Sequence, residues 1–546
     1  MASSPDLLLH SAQIYTVDDQ RPTATALAVR DGRFVAVGDA DEMVAAFPEA
    51  PRIDAGGRTV VPGFIDAHAH LQELGLSLHR ADLTDAQSPT GVVEQLRDFA
   101  ADHDLPDGAW LRGHGWDQTD WTVPRSPTRA ALDSAFPERP VWLTRTDVHA
   151  GWANTAALEA TVGLDRLRRM SDPDGGRIER DADGTPTGVL VDAAMAPVED
   201  HLPSPTAAQK ERALSTALQH AAQHGITGLH DAGVDLDTIR RFRRFIEADQ
   251  FPLRVYAMID GRGDAFDHFC DDGPVRHPSG RLDVASVKFF TDGALGSRGA
   301  ALLDDYADDP GNRGLLLHDE SSFRRNVQAA VECGFQINTH AIGDRANRVV
   351  LDAYEAAMER CAAPVRRPRI EHAQVVHPDD FSRFGDLGVI ASVQPKFPTS
   401  DKDWAPARLG PDRLNGAYAW KSLREAGAPL AFGSDAPVEP IDPIRGIHAA
   451  VTRQDDDGHP DEGWRPEERV SRQTALHAYT QGAAYAGFRE DSLGSITPGK
   501  WADFVVLSRD LLRVSPSRLL DTEVLATYLA GRPVHTQDSH WAPDAE

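Results

Sequence analysis

Val60-Val-Pro-Gly-Phe-Ile-Asp-Ala-His-Ala-His70 is an apolar run that ends in two histidines one residue apart. Read as a strand, it places alternate side chains on one face. The His68 and His70 imidazoles then stand on the same side, with Cα atoms about 7 Å apart, close enough to share one cation. Alone, the pair also reads as two polar residues capping a strand. Its weight comes from what the rest of the chain repeats.

Seven more apolar stretches follow: Gly225–Asp231, Leu253–Ile259, Ala285–Asp292, Gln336–His340, Arg369–His372, Val389–Gln394 and Pro429–Asp435. Each has a polar residue at or just beyond its C-terminal end and a helical stretch before the next. Eight such units predict an α/β fold, a (β/α)8 TIM barrel. In these barrels the C-terminal strand ends hold the active site. His340 in Ile337-Asn-Thr-His340, His372 in Ile370-Glu-His372 and Asp435 in Phe432-Gly-Ser-Asp435 fall at three of those ends. Lys288, in Val284-Ala-Ser-Val-Lys-Phe-Phe290, lies within the fourth strand, where an ammonium is costly to bury unpaired. A salt bridge to Asp292 is the plain explanation. The functional one is reaction with carbon dioxide, giving a carbamate that bridges two cations. Any one of these residues reads as a satisfied polar cap; together they read as a metal site.

Outside the barrel, residues 1–60 are short strands and turns, from Asp6–His10 to Ala26–Val37 with a hairpin signal at Asp31-Gly32. The same texture returns at Gly494–Leu507 and Val524–Tyr528. Residues 1–60 and 491–546 are therefore expected to share one β-sandwich, with the barrel at 61–490. The gap from His70 to Gly225 exceeds a single βα connection and implies an inserted subdomain near 72–205. It holds Trp110, Trp116, Trp121, Trp142 and Trp152, half of the 10 tryptophans, and ends in turns at Pro173–Gly176 and Asp183-Gly184. Trp116 and Trp152 either wall a substrate pocket, with the insert as a lid, or form the insert's own core. His230 and Arg298 either touch substrate or serve as a cap and an ion pair. Helical spacing is also read at Thr206–His224 and Ser471–Phe488.

Composition narrows the class. At 546 residues with 41% hydrophobic content the chain is globular and large enough for a catalytic domain with an accessory one. There is no apolar run of membrane-spanning length, and Met1–Asp6 lacks a signal-peptide pattern, so a cytoplasmic location is expected. Cys270, Cys333 and Cys361 are far apart and suggest neither a disulfide framework nor a thiolate zinc site. A net charge of -28 argues against nucleic acid and membrane partners. Only six of the 56 cationic residues are lysine, an acidic, lysine-poor balance of the kind suited to high salt, although a GC-rich genome gives the same bias.

The motifs Val61-Pro-Gly-Phe-Ile-Asp-Ala-His-Ala-His70, Gly115-Trp-Asp117, Gly175-Gly-Arg-Ile178, Thr187-Gly-Val-Leu190, Asp292-Gly-Ala-Leu-Gly-Ser297, Thr339-His-Ala-Ile-Gly-Asp344, Ile370-Glu-His-Ala-Gln374 and Gly433-Ser-Asp-Ala-Pro437 carry a resemblance. Over nearly its whole length the chain resembles the amidohydrolase superfamily, in its YtcJ-like branch with the N-substituted formamide deformylases. The resemblance implies one metal held by His68, His70 and Asp435, a second held by His340 and His372, and carbamylated Lys288 between them. Zinc is the expected ion, although such ligands also accept manganese, iron or cobalt. Two cations would acidify a bridging water into a nucleophile, and Asp435 would act as general base and then general acid in breaking a C–N bond. The partner expected is a small-molecule amide, with a homodimer left open. Rival expectations are a deaminase or cyclic-amide hydrolase acting on a heterocycle, a one-metal enzyme with unmodified Lys288, and a non-catalytic scaffold of the same fold.

Overall fold

The structure is a computed structural model that describes residues 4–541 except 104, 106–107, 119–120, 146–149 and 174–175. Residues 1–3 of the Met1–Asp6 start, two residues of the Pro173–Gly176 turn and Gly175 of its motif thus lie outside the described residues.

Eight parallel strands form a nearly closed barrel. They are β1 (Phe64–Ala69), β2 (Ile226–Val234), β3 (Arg254–Asp260), β4 (Leu282–Phe290), β5 (Gln336–Ala341), β6 (Arg369–His372), β7 (Ile390–Val393) and β8 (Leu430–Phe432). Every neighbouring pair from β1 to β8 is parallel. The seam between β8 and β1 is closed just past the strand ends, where Asp435 N donates to the His68 carbonyl at 2.7 Å and His70 N to that of Ala436 at 2.8 Å. The buried Asp66 carboxylate reinforces it, accepting from His68 N at 3.0 Å and from the Ser434 hydroxyl at 2.6 Å. The helices cover the barrel by ordinary logic. Leu236–Glu247 is capped by Asp235, which accepts from Thr238 N, and buries Ile239 and Phe242; Glu320–Glu332 is capped by Asp319 and buries Phe323 and Val327.

The apolar run read as one strand from Val60 to His70 is two strands. Thr59–Pro62 pairs with Gln13–Tyr15 and Phe504–Leu507, and the chain enters the barrel only at Phe64. The switch falls where Pro62 has no N–H to donate and Gly63 lies so close to Thr227 that a Cβ would sit 2.1 Å from its hydroxyl oxygen. Thr59–Pro62 belongs to a six-stranded sheet drawn from both chain ends, and a four-stranded sheet holds Leu7–His10, Ala26–Arg30, Arg33–Gly38 and Arg52–Asp54. The two share a core in which Leu9, Leu27 and Phe34 meet Ile14, Val60, Phe504 and Tyr528. The Asp31-Gly32 turn has φ of 53° and 73°, the left-handed pair that a tight hairpin needs.

The chain divides into two compact units, Met1–Glu73 with Ser215–Glu546, and Leu74–Leu214. The second is inserted between β1 and β2 and has its own six-stranded sheet, from Ala81–Asp82 to Gly176–Arg180. One expectation is corrected. Cys270 and Cys333 are joined in a disulfide with Cα atoms 5.1 Å apart, while Cys361 is free. The partners are 63 residues apart in sequence, but Cys270 lies in the helix Asp264–Asp272 after β3 and Cys333 caps the C-terminus of the helix Glu320–Glu332 after β4, in neighbouring barrel units.

Candidate metal centre

His68 and His70 leave β1 pointing into the mouth of the barrel, each with one ring nitrogen anchored from behind. His68 Nδ1 lies 2.6 Å from Glu371 Oε2, and His70 Nδ1 donates to the Ala232 carbonyl at 2.9 Å. The opposite nitrogens face Asp435: Oδ1 is 3.4 Å from His68 Nε2 and 3.1 Å from His70 Nε2. On β6, His372 Nδ1 donates to Gln394 Oε1 at 2.8 Å, leaving Nε2 free. His340, at the end of β5, has its buried Nε2 3.5 Å from Asp292 Oδ1 without a hydrogen bond. The rings form a chain of neighbours, with centroids 5.5 Å apart for His68–His70, 5.0 Å for His68–His372 and 4.6 Å for His340–His372. Phe397 stacks on His372, with ring centroids 5.9 Å apart.

Two of these positions depend on strained backbone. His372 has φ 76° and Asp435 φ 62°, left-handed values that L-residues avoid. Alternation alone would send His372 to the opposite face from Glu371; the kink lets both side chains serve the interior.

Lys288 is buried, with Nζ 3.1 Å from His68 Nε2 and 4.8 Å from the Phe290 ring centre. The salt bridge to Asp292 weighed from the sequence is not formed. The Asp292 carboxylate instead accepts backbone N–H groups of Ala301, Ile342 and Gly343 at 2.9–3.1 Å, which locks the loop after β4 to the end of β5. Burial pushes the Lys288 ammonium down to about 8, so a neutral amine is accessible near neutral pH. Burial, then repulsion from nearby cationic groups, holds His68 and His340 well below the usual imidazole range, and burial lowers His372. Burial works against ionised Asp435, yet the hydrogen bond with His70 and the surrounding imidazoles hold it below the usual carboxylate range.

Burial works against protonated His70, yet its hydrogen bond with Asp435 raises it above the usual imidazole range, so a cation bound there would displace that proton; with the neutral imidazoles and the ionised Asp435 it makes a donor set for a divalent cation. Among the described residues, His68, His70 and Asp435 present ligand atoms all within 4.8 Å of one another. Lys288, His340 and His372 border that group through the neighbours given above.

Each candidate substrate contact named from the sequence has partners of its own. Trp116 and Trp152 are 1% and 0% exposed in the core of the insert, packed on each other and on Trp121, and Trp116 Nε1 donates to the Leu143 carbonyl. His230 is buried inside the barrel, where its Nδ1 accepts from Arg369 at 2.8 Å. Arg298 makes a partly exposed ion pair with Asp308 at 2.9 Å. Glu371, Arg369 and Gln394 were not singled out from the sequence. Glu371 stands inside the quoted Ile370–Gln374 motif, but its partner His68 is 303 residues away.

The sequence matches the pattern described as "Amidohydrolase family" over residues 52–535, and residues 26–50 match a bacterial imidazolonepropionase-like composite domain. YtcJ of Bacillus subtilis is 33% identical over 533 residues, covering 96% of this chain and 98% of its own. The N-substituted formamide deformylase of Arthrobacter pascens is 30% identical over 555 residues, covering 97% and 98%. A crystal structure of an uncharacterized metal-dependent hydrolase from Pyrococcus horikoshii superposes with a TM-score of 0.76 at 29% identity, over 93% of this chain and 99% of that one.

Proposed function

Because the chain belongs to the amidohydrolase family of metal-dependent hydrolases, we propose that it cleaves the C–N bond of a small-molecule amide, with N-substituted formamides as the first class to test. The relative from Arthrobacter that bears that activity in its name aligns over nearly the whole chain, which supports the choice. The observation that carries the reading is the convergence of His68, His70 and Asp435 at the C-terminal end of the barrel.

His68, His70 and Asp435 would hold one divalent ion, and His340 and His372 a second, with zinc suited to these nitrogen and oxygen donors. Bound there, the ions would supply an acidified water as nucleophile and a Lewis acid for the carbonyl oxygen. Lys288 contributes by chemistry of its own. Its neutral amine would attack carbon dioxide, forming an N–C bond as one C=O π bond opens and releasing one proton, and the resulting carbamate would supply an anion for the two ions to share. Asp435, ionised and beside both β1 imidazoles, accepts the proton of the attacking water and returns it to the departing nitrogen, since an amine leaves poorly without one.

The test is metal content by elemental analysis of protein purified with bicarbonate, for wild type and Lys288→Ala, together with hydrolysis of acyclic formamides and cyclic amides. About two ions per chain, falling sharply in the variant, with turnover of a formamide, is the expected result. Equal content in both proteins with no turnover of any amide would overturn the proposal. A second reading has one observation in its favour, since only His68, His70 and Asp435, among the described residues, are mutually close enough to form a cation site as they stand. A content of about one ion, unchanged by the lysine substitution, would select it.

A further inference from the structure

We propose that Glu371 is a positioning residue: from beneath the candidate centre it fixes which nitrogen of His68 faces a metal, and Arg369 holds it in place. This rests on the reading of His68 as a metal ligand. The Glu371 carboxylate and the His68 ring are both fully buried, with Oε2 2.6 Å from Nδ1. Held against the Arg369 guanidinium, the Glu371 carboxylate is the acceptor in this contact, which puts the ring proton on Nδ1. A neutral imidazole has one N–H, and Nε2 is therefore left with its lone pair directed toward Asp435 and Lys288, 3.4 and 3.1 Å away.

Glu371 is itself immobilised. Arg369 lies 2.9 Å from Oε1 through Nε and 3.1 Å from Oε2 through Nη2. The same guanidinium donates to the Ala67 carbonyl at 2.7 Å, to the Ser392 hydroxyl at 3.0 Å and to His230 Nδ1 at 2.8 Å. Arg369 thus reaches β1, β2 and β7 from its place on β6, inside the barrel. Burial, then the neighbouring guanidinium, holds His230 well below the usual imidazole range, so it stays neutral and can accept that bond. A buried ion pair adds little net stability against apolar packing, so keeping the barrel's shape does not by itself require one. Orienting a ligand does, because a carboxylate behind a metal-bound imidazole fixes its tautomer and raises its basicity.

The experiment titrates metal-free full-length protein with zinc against a competing chelator, and with cobalt while recording its visible absorption. The variants are Glu371→Gln, Glu371→Asp and Ser392→Ala. Glutamine keeps the shape and can offer either an oxygen or an N–H to His68. Aspartate keeps the charge beside Arg369 but draws it back by one methylene, so it still reports if the glutamine variant does not fold. Ser392→Ala removes a bond to Arg369 without touching His68. Zinc affinity is expected to fall about 10- to 100-fold in the Glu371 variants, with an altered cobalt spectrum, and to stay near wild type in Ser392→Ala. Glu371 variants that bind zinc within about twofold of wild type with an unchanged cobalt spectrum would overturn the positioning role alone. So would a loss of affinity in Ser392→Ala equal to theirs, because that pattern marks a purely structural network. Wild type that binds neither metal would overturn the metal-centre reading along with it.

Discussion

Asp401 accepts hydrogen bonds from the Tyr418 hydroxyl at 2.7 Å and the Gln374 amide at 3.1 Å, yet burial pushes its carboxyl up to about 7. A carboxyl raised above its unfolded value of about 3.9 binds protons more tightly in the folded chain. Its contribution to stability is therefore fully present below about pH 4 and is lost as pH rises toward 7. Asp66, Asp231 and Asp292 are raised to about 7 by burial as well, so wild type should lose stability across this window in several overlapping steps. In Asp401→Asn the slope of unfolding free energy against pH between 4 and 7 should be shallower by up to about 1.4 kcal/mol per pH unit. Parallel denaturation profiles for the two proteins would rule this out. At this level the sequence showed the side chains that end strands, because position along an alternating run already tells which way they point. It did not show Glu371 or Gln394, and it paired Asp292 with Lys288, because the roles of all three depend on partners in other strands or loops. It also gave no sign that His372 and Asp435 take left-handed backbone, since neither is a glycine.

The seam of the barrel depends on a close approach at Gly433, where a Cβ would lie 2.4 Å from His68 N and 2.8 Å from Asp66 Oδ1. Gly433→Ala must therefore push β8 away from β1, at a cost of about 1–3 kcal/mol. Thermal unfolding should record the loss, and weaker metal retention should accompany it because Asp435 follows two residues later; a variant as stable as wild type would mean that the seam has slack. The eight barrel strands were legible because each is an apolar run between turns. What escaped was the division at Pro62-Gly63, since the apolar residues run on from Val60 to Ile65 and only pairing assigns the two halves to different sheets. The Cys270–Cys333 bond escaped for a related reason: the meeting of adjacent helices leaves no trace in the spacing of two cysteines.

Arg254, at the start of β3, and Asp503, beside the strand Phe504–Leu507, form a buried pair at distances of 2.6 and 3.0 Å. It ties the barrel to the composite sheet within one compact unit. Asp503→Asn leaves the guanidinium buried without its counter-charge and should cost about 3–5 kcal/mol in urea denaturation. The net charge of -28 acts on the whole chain through self-repulsion. Raising salt from about 0.1 M to about 1 M shortens the screening length from about 10 Å to about 3 Å and should raise the unfolding midpoint. A midpoint flat over that range would count against adaptation to high salt. The two ends of the chain announced their shared texture in the sequence, but which strand of one end lies beside which of the other is a matter of long-range pairing.

That pairing has a consequence for synthesis. Thr59–Pro62 lies between Gln13–Tyr15, made before it, and Phe504–Leu507, made more than 400 residues later. While a ribosome is still translating the barrel, one side of this apolar strand has no neighbour, and such an edge invites pairing with another nascent chain. Premature termination between codons 62 and 504 would make that exposure permanent, so shortened translation products should collect in inclusion bodies even when every barrel strand has been made.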